Sequence, residues 1–357
     1  VINKNTEFYY KSSKALLLPA IISDEMQLLE LKLGKKHYFF RGTETPFNNS
    51  CSANLVADKY CTNKILARAG IPVAKAVLLH ASDLENGQFE KKIAPLKFPL
   101  VAKPAIGSSR GDAVLCNIET IERLKNYLIH HFSYYEFIVI EEFHSNLKSY
   151  RVLVHNRQII GVILRYPAHV MGDGKHNIEE LIERTNQERT RINDALGPIV
   201  IDEECRVALN ESGMDLNYIP RREERIRLGY TSNATRGGSF EALGNRICKE
   251  NKRLLIRITE LMNLNFAGID VECEDINLPL KTSKGIIIEV NNRPSIKIHE
   301  NPMQGKPNPV SKKIIRSLIY RHPLAYLHVL YTNRKTFFYV RSLILITILG
   351  LMYQFLI

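Results

Sequence analysis

Apolar and polar positions recur along the 357-residue chain with both helical and strand periods, so neither element type dominates. From Asp58, Ile65, Leu66 and Ala69 can pack inward on a helix that also carries Lys64 and Arg68 and stops at Gly70 and Pro72; a strand is predicted over Val73–Leu79. Leu100, Val101 and Ala102 form a buried run that delivers Lys103 to a loop of small residues, Ala105–Gly111, and Pro104 is expected to force the chain out of regular pairing. Ile121, Leu124 and Leu128 predict a helix within Glu119–His131, followed by a strand over Phe137–Ile140 that ends in Glu141 and Glu142.

Residues 151–165 read as a hairpin turning at Asn156 and Arg157, with Arg151 and Arg165 at its ends. A Gly-Asp-Gly turn at 172–174 leads to Asn177 and Glu180, spaced as a capping box. His169 and His176 flank that turn without metal-ligand spacing. A second helical stretch within 191–230 gives way to a strand and a glycine loop containing Asn233, Arg236, Gly237 and Gly238. A helix over Cys248–Met262 is expected to bury Leu254, Leu255, Ile258, Leu261 and Met262. Phe266–Cys273 is then a strand containing Asp270, and Ile286–Val290 another, with Glu289 and Asn291 on one face. Residues 1–57 show only short apolar runs between polar turns, and Ala15–Ile22 is too short, and lacks a small-residue cleavage site, to read as a signal peptide.

Composition is that of an ordinary folded enzyme, and six cysteines that never form a CxxC pair argue against a zinc ribbon or a disulfide framework. The net charge of +12 is unevenly placed: eight basic residues and no acid follow Glu300, while the body is nearly balanced. A balanced body without a recognised nucleic-acid motif disfavours a nucleic-acid partner.

The candidate chemistry begins at Lys103, where glycines let backbone N–H groups turn toward an anion and Ser108, Ser109 and Arg110 add donors. Neither the GxxxxGK[ST] nor the GxGxxG pattern is present, and an ordinary connection has the same composition. Glu141, Glu142 and Phe143 could line a base and ribose pocket or simply bound a strand. Asp270, Glu289 and Asn291 supply hard oxygen donors of the kind Mg²⁺ prefers, with a structural salt bridge as the alternative.

Together DKYCTNKILARAGIPV, FPLVAKPAIGSSRGDAV, VIEEF with SYRVLV, RYPAHVMGDGKHNIEELI, FAGIDVEC and IIIEVNNRPS with the trailing QGKP occur in the order found in the ATP-grasp superfamily. They most resemble the ATP-grasp module of cyanophycin synthetases and of bifunctional glutamate–cysteine ligase/glutathione synthetases, over about residues 45–310. The resemblance implies an α+β fold, two lobes gripping a nucleotide, with an N-terminal segment over 1–57, the ATP-grasp domain over 58–310 and a tail over 311–357. It implies ATP held by Lys64, Lys103, Ser108, Ser109, Gly111, Glu141, Glu142 and Phe143, and Mg²⁺, replaceable by Mn²⁺, on Asp270, Glu289 and Asn291. The activity it implies joins a small-molecule or peptide carboxylate to an amine through an acylphosphate, with Arg165 and then Arg236 as candidate catalytic guanidiniums. A kinase and a membrane-associated nucleotide-binding protein without catalysis are the competing readings, and homo-oligomerisation is left open. Family members commonly carry glycine and an acidic residue shortly before Tyr-Arg, where this chain has Leu147 and Ser149, so the carboxylate expected at the ribose is missing.

Ser342–Ile357 is apolar and follows basic residues; with Thr336–Arg341 it approaches the roughly 20 residues needed to span a bilayer. The expectation is a cytoplasmic protein whose segment 336–357 meets the membrane's cytoplasmic face, against the alternative of a helix packed on the body.

Overall fold

The computed structural model describes residues 2–107, 113–192 and 196–356 and divides into two compact units. The first comprises Val1–Pro46, Ser295–Glu300 and Pro309–Ile357, and the second Phe47–Pro294 with Asn301–Asn308.

The first unit opens with α1 (Lys4–Ala15), capped by the Asn3 side chain, and an antiparallel meander of β1 (Ala20–Ser23), β2 (Leu28–Leu33) and β3 (Lys36–Phe40). Leu29, Leu31 and Leu33 alternate inward along β2.

In the second unit, α2 (Ser50–Ala57) and α3 (Lys59–Arg68) precede a four-stranded antiparallel sheet. Its strands are β4 (Ala76–His80), β5 (Leu100–Pro104), β6 (Leu115–Ile118) and β7 (Phe137–Glu142), in the order β4-β7-β5-β6. Helices α4 (Ala81–Glu85), α5 (Phe89–Ile93) and α6 (Ile121–His131) accompany it, and Leu79, Leu100, Ile118, Leu124, Leu128, Ile138 and Ile140 share its core. Two expectations are corrected here. Val73 makes only an isolated bridge to Ile287, and β4 begins at Ala76. Pro104 does not leave the sheet: it pairs with Ile138 as the last residue of β5, past the last β6 pair at Ala102, where its missing N–H costs no ladder bond.

A six-stranded sheet follows, in the order β14-β13-β8-β9-β12-β15. Its members are β8 (Lys148–His155), β9 (Gln158–Tyr166), β12 (Ser239–Gly244), β13 (Phe266–Cys273), β14 (Ile286–Asn291) and β15 (Gln304–Gly305). Inserted between β9 and β12 is a small cluster in which β10 (His169–Met171) pairs with β11 (Arg225–Arg227), and α7 (Ile178–Ile192) and α8 (Glu203–Glu211) share a core of Ile178, Ile182, Cys205, Leu209 and Ile226. The capping box forms as spaced: Asn177 Oδ1 accepts from the Glu180 amide at 2.9 Å and Glu180 Oε2 from the Asn177 amide at 3.0 Å.

Helix α9 (Lys249–Leu261) packs on one face of the six-stranded sheet through Leu255 and Ile258, with Met262 just beyond its end. Leu261, expected inside, is exposed, and Leu254 is only half-buried, because 255, 258 and 262 recur on one helical face and 261 falls on the other. The short α10 (Lys297–Glu300) and three C-terminal helices return the chain to the first unit: α11 (Val310–Arg321), α12 (Pro323–Thr332) and α13 (Phe337–Leu356). The segment from 311 onward is therefore not one kind of structure. Ile314, Ile315 and Leu318 of α11 are buried, and Ser311 bonds Ser12 of α1 at 2.7 Å, whereas none of the stretch Phe337–Gln354 of α13 is buried.

Candidate active site

The six-stranded sheet has one apolar and one charged face. Val152, Val154, Val162, Ile269, Val271 and Cys273 point into the core shared with α9. Strand alternation therefore puts Ser149, Arg151, Gly268, Asp270 and Glu272 on the opposite face. Register assembles them into two rows, Glu289–Asp270–Arg151 and Glu272–Ser149–Arg165. A bulge in the β13–β14 pairing, where Asp270 and Val271 face Glu289 and Ile287, lets Ile287 and Val290 stay in the core while Glu289 turns to the charged face. An unbroken strand would put Ile287 and Glu289 on one side.

Asp270 is buried and gripped from two strands. Arg151 engages both its oxygens, through Nε to Oδ1 and through Nη2 to Oδ2 at 2.8 Å, and Arg165 Nη1 donates to Oδ2 at 3.2 Å. Burial alone would raise the carboxyl's pKa; the two guanidiniums hold it below the ordinary carboxylate value. Arg165 also donates from Nη2 to Ser149 Oγ at 2.8 Å. Gly268 makes room for this arrangement, since a Cβ there would lie 2.7 Å from Pro294 Cβ and 3.2 Å from Arg151 Cδ. Glu289 is half-exposed, with Lys59 Nζ 4.0 Å away. Asn291 has its amide Nδ2 buried with no partner among the described residues.

This donor set fits a hard divalent cation: two carboxylates in direct register, one of them open, and the Asn291 amide, whose oxygen is a hard donor, two residues along the same strand. Asp270 retains acceptor capacity beyond its arginine bonds, since a carboxylate offers about four lone-pair sites. Among the described residues no group of three or more His, Cys, Asp or Glu side chains is placed to hold a metal ion by itself.

The four-stranded sheet contributes Lys103 and Glu141, diagonal neighbours on β5 and β7, both buried and joined at 2.6 Å. Burial would push the Lys103 ammonium down; the Glu141 carboxylate outweighs it, and Glu289 of the other sheet adds to the net rise. Lys59, the first residue of α3, completes the group. Burial lowers its pKa against the pull of Glu289 and Glu141. Lys103 of one sheet and Lys59 of α3 thus lie in electrostatic reach of Glu289 on the other sheet.

The remaining candidates lie as follows. Lys64 donates to the Ala76 carbonyl at 2.7 Å, sits over the Tyr60 ring and lies in electrostatic reach of Glu141. Glu142, one residue past Glu141, points to the other face of the strand and accepts from the Lys97 amide at 3.0 Å. Phe143 packs edge-on against Tyr230, centroids 5.7 Å apart. Ser108, Ser109 and Gly111 lie outside the described residues. Arg236 lines a separate cleft of about 340 Å³ and pairs with Asp202 at 2.7 Å and Glu204 at 3.6 Å. Cys116 lies between the two clefts: burial pushes its thiol up to about 12, and it is in electrostatic reach of Glu204, Glu272 and Lys103.

Three residues of the site escaped the sequence reading. Lys59 directly follows the helix-capping Asp58, Arg151 stands opposite Asp270, and Glu272 lies two residues beyond Asp270. Period-two alternation along FAGIDVEC carried the signal for Glu272.

Residues 65–184 match the family model described as the D-ala D-ala ligase C-terminus. The chain is 30% identical over 323 residues to the cyanophycin synthetase of Synechocystis, covering 89% of this chain and 36% of that protein. It is 30% identical over 292 residues to the glutathione biosynthesis bifunctional protein GshAB of Listeria innocua, covering 78% and 36%. The crystal structure of a bifunctional glutathione synthetase from Pasteurella multocida superposes with a TM-score of 0.59 at 25% identity, over 87% of this chain and 44% of that one. The chain belongs to the ATP-grasp superfamily. Its α+β architecture is the ATP-grasp fold. This ATP-grasp chain spans under half the length of those relatives.

Proposed function

We propose that the chain is an ATP-dependent carboxylate–amine ligase, in which a substrate carboxylate takes the γ-phosphoryl group of ATP and the resulting acylphosphate is attacked by an amine. One observation carries this reading: the buried Lys103 of the four-stranded sheet and the half-buried Lys59 of α3 lie in electrostatic reach of Glu289, in the Glu289–Asp270–Arg151 row of the six-stranded sheet. Such opposed charges suit a triphosphate with its counter-ion, and phosphoryl transfer depends chiefly on positioning and charge neutralisation.

In this mechanism Lys103 and Lys59 bind phosphate oxygens. Glu141 fixes the Lys103 ammonium on one side. Mg²⁺, or Mn²⁺ in its place, would be held by Asp270, Glu289 and Asn291 and would offset charge on the transferring group. Arg151 and Arg165 keep Asp270 ionised and oriented, so Arg165 acts first as a positioning residue. Arg236, which lines the second cleft beside Asp202 and Glu204, would steady the acyl substrate. The amine nitrogen attacks the acyl carbon, the acyl–phosphate bond breaks, and phosphate leaves with the electron pair.

A panel of carboxylates and amines, from amino acids to short peptides, should show ADP release that requires one acid and one amine together. ADP release with the acid alone would instead make the chain a kinase, and ATP binding with no turnover across the panel would make it a binding protein.

The tail carries a second element of the proposal, cytoplasmic membrane attachment through α13. Its stretch Phe337–Gln354 has mean hydropathy 1.5 and none of it is buried. The one cation in that stretch, Arg341, lies over the Tyr331 and Phe337 rings at 4.5 and 5.3 Å, near the basic end of the helix. Removing residues 336–357 should move the protein from the membrane to the soluble fraction on sedimentation. Membrane association that survives the deletion overturns the anchor.

A further inference from the structure

Among the carboxylates of the cleft, Asp270 is bound by two arginines, Glu141 by Lys103, and Glu289 has Lys59 nearby. Glu272 has no hydrogen bond or ion pair among the described residues. It nevertheless lies on the charged face of β13, half-buried, with Arg165, Lys103, Asp270 and Glu141 in electrostatic reach. A carboxylate held in such a place without an internal partner is available to a ligand's donors.

Its position says which donors. Two residues along a strand is about 7 Å, so Glu272 stands that far from Asp270 on the same face, the spacing between a nucleotide's phosphates and the sugar that carries them. In register beside it is Ser149, where the carboxylate expected at the ribose is absent. Ser149 is a poorer acceptor than a carboxylate, since it is uncharged and one of its two lone pairs already accepts from Arg165 at 2.8 Å. A lone carboxylate can accept from two neighbouring hydroxyls at once, as acidic residues do at the ribose of dinucleotides.

We propose that Glu272 is the residue that reads the ribose of the bound nucleotide, its carboxylate accepting from the sugar's vicinal hydroxyls one strand away from the vacated position 149. The assignment rests on the nucleotide-binding reading above. It makes the chain a ribonucleotide-selective binder through a residue on β13 instead of β8.

The test is equilibrium binding of ATP and 2′-deoxy-ATP, each with Mg²⁺, to the full chain and to the variants Glu272→Gln and Glu272→Ala, with thermal melting as the folding check. The unmodified chain should prefer ATP by about tenfold or more, the scale of one charge-assisted hydrogen bond. Both variants should lose that preference: ATP, which gives up the bonds of both hydroxyls, weakens about tenfold more than 2′-deoxy-ATP, which gives up only that of its 3′-hydroxyl. Equal weakening of both nucleotides, or an unchanged preference in a folded variant, overturns the ribose assignment while leaving the nucleotide site standing. Failure of the unmodified chain to bind either nucleotide overturns both readings. Glu272→Gln, close in shape and uncharged, keeps the experiment decisive if the alanine variant does not fold.

Discussion

Lys103→Ala is expected to abolish Mg²⁺-dependent ADP formation and, at the same time, to destabilise the protein. The two losses have different origins. Lys103 and Glu141 are both buried, and removing one partner of a buried pair leaves the other charge uncompensated, a cost of about 3–5 kcal/mol. Loss of a preorganised cation facing the phosphates costs about a hundredfold to a thousandfold in rate by itself. The double variant Lys103→Met/Glu141→Leu separates them, because replacing both members of a buried pair by apolar side chains is often close to neutral. Chemical denaturation should return to near the unmodified midpoint in the double variant while ADP release stays absent. Full activity in either protein would remove Lys103 from the site.

The two carboxylates of the cation row should respond to substitution in opposite ways. Glu289 is half-exposed with only a distant lysine, so Glu289→Gln should leave the melting temperature unchanged while lowering activity about a hundredfold or more and raising the Mg²⁺ needed for half-maximal rate. Asp270 compensates two buried guanidiniums, so Asp270→Asn should lose activity and also about 3 kcal/mol of stability, as Arg151 and Arg165 are left without their counter-charge. Activity assays across a Mg²⁺ titration, run beside thermal melts, distinguish the pair. Equal destabilisation by both variants would contradict the burial difference between them.

The boundaries of the strands were legible in the sequence where the pattern was strong. Phe266–Cys273 reads as a strand at both ends because its apolar residues alternate with Gly268, Asp270 and Glu272. The site was legible as a set of residue types and only partly as a geometry. Glu289 looks buried when IIIEVNN is treated as a uniform strand, because nothing in three consecutive isoleucines marks the bulge that turns the glutamate outward. Lys64 and Lys59 lie on the same helix, five residues apart. Which of them faces the cleft depends on where α3 docks, a tertiary fact that helical spacing does not contain. The partnership of Arg151 with Asp270 is likewise a matter of register between strands more than one hundred positions apart in the chain. Arg236, a guanidinium chosen for an anion, is held by Asp202 and Glu204, partners more than thirty positions away that its own neighbours do not announce.

Helix α3 has a consequence that reaches past Lys59. At its start the Lys59 amide donates to the Ala105 carbonyl, two residues beyond Lys103, at 3.0 Å. Just past its end the Pro72 carbonyl accepts from the Ile287 amide at 2.9 Å, on the strand that carries Glu289. Ten residues of helix, about 15 Å, therefore tie the lysine sheet to the carboxylate sheet as a spacer bar. The width of the jaw is set by the length of this one helix. A single residue inserted in it would change that width by about 1.5 Å and swing Lys59 about 100° around the axis.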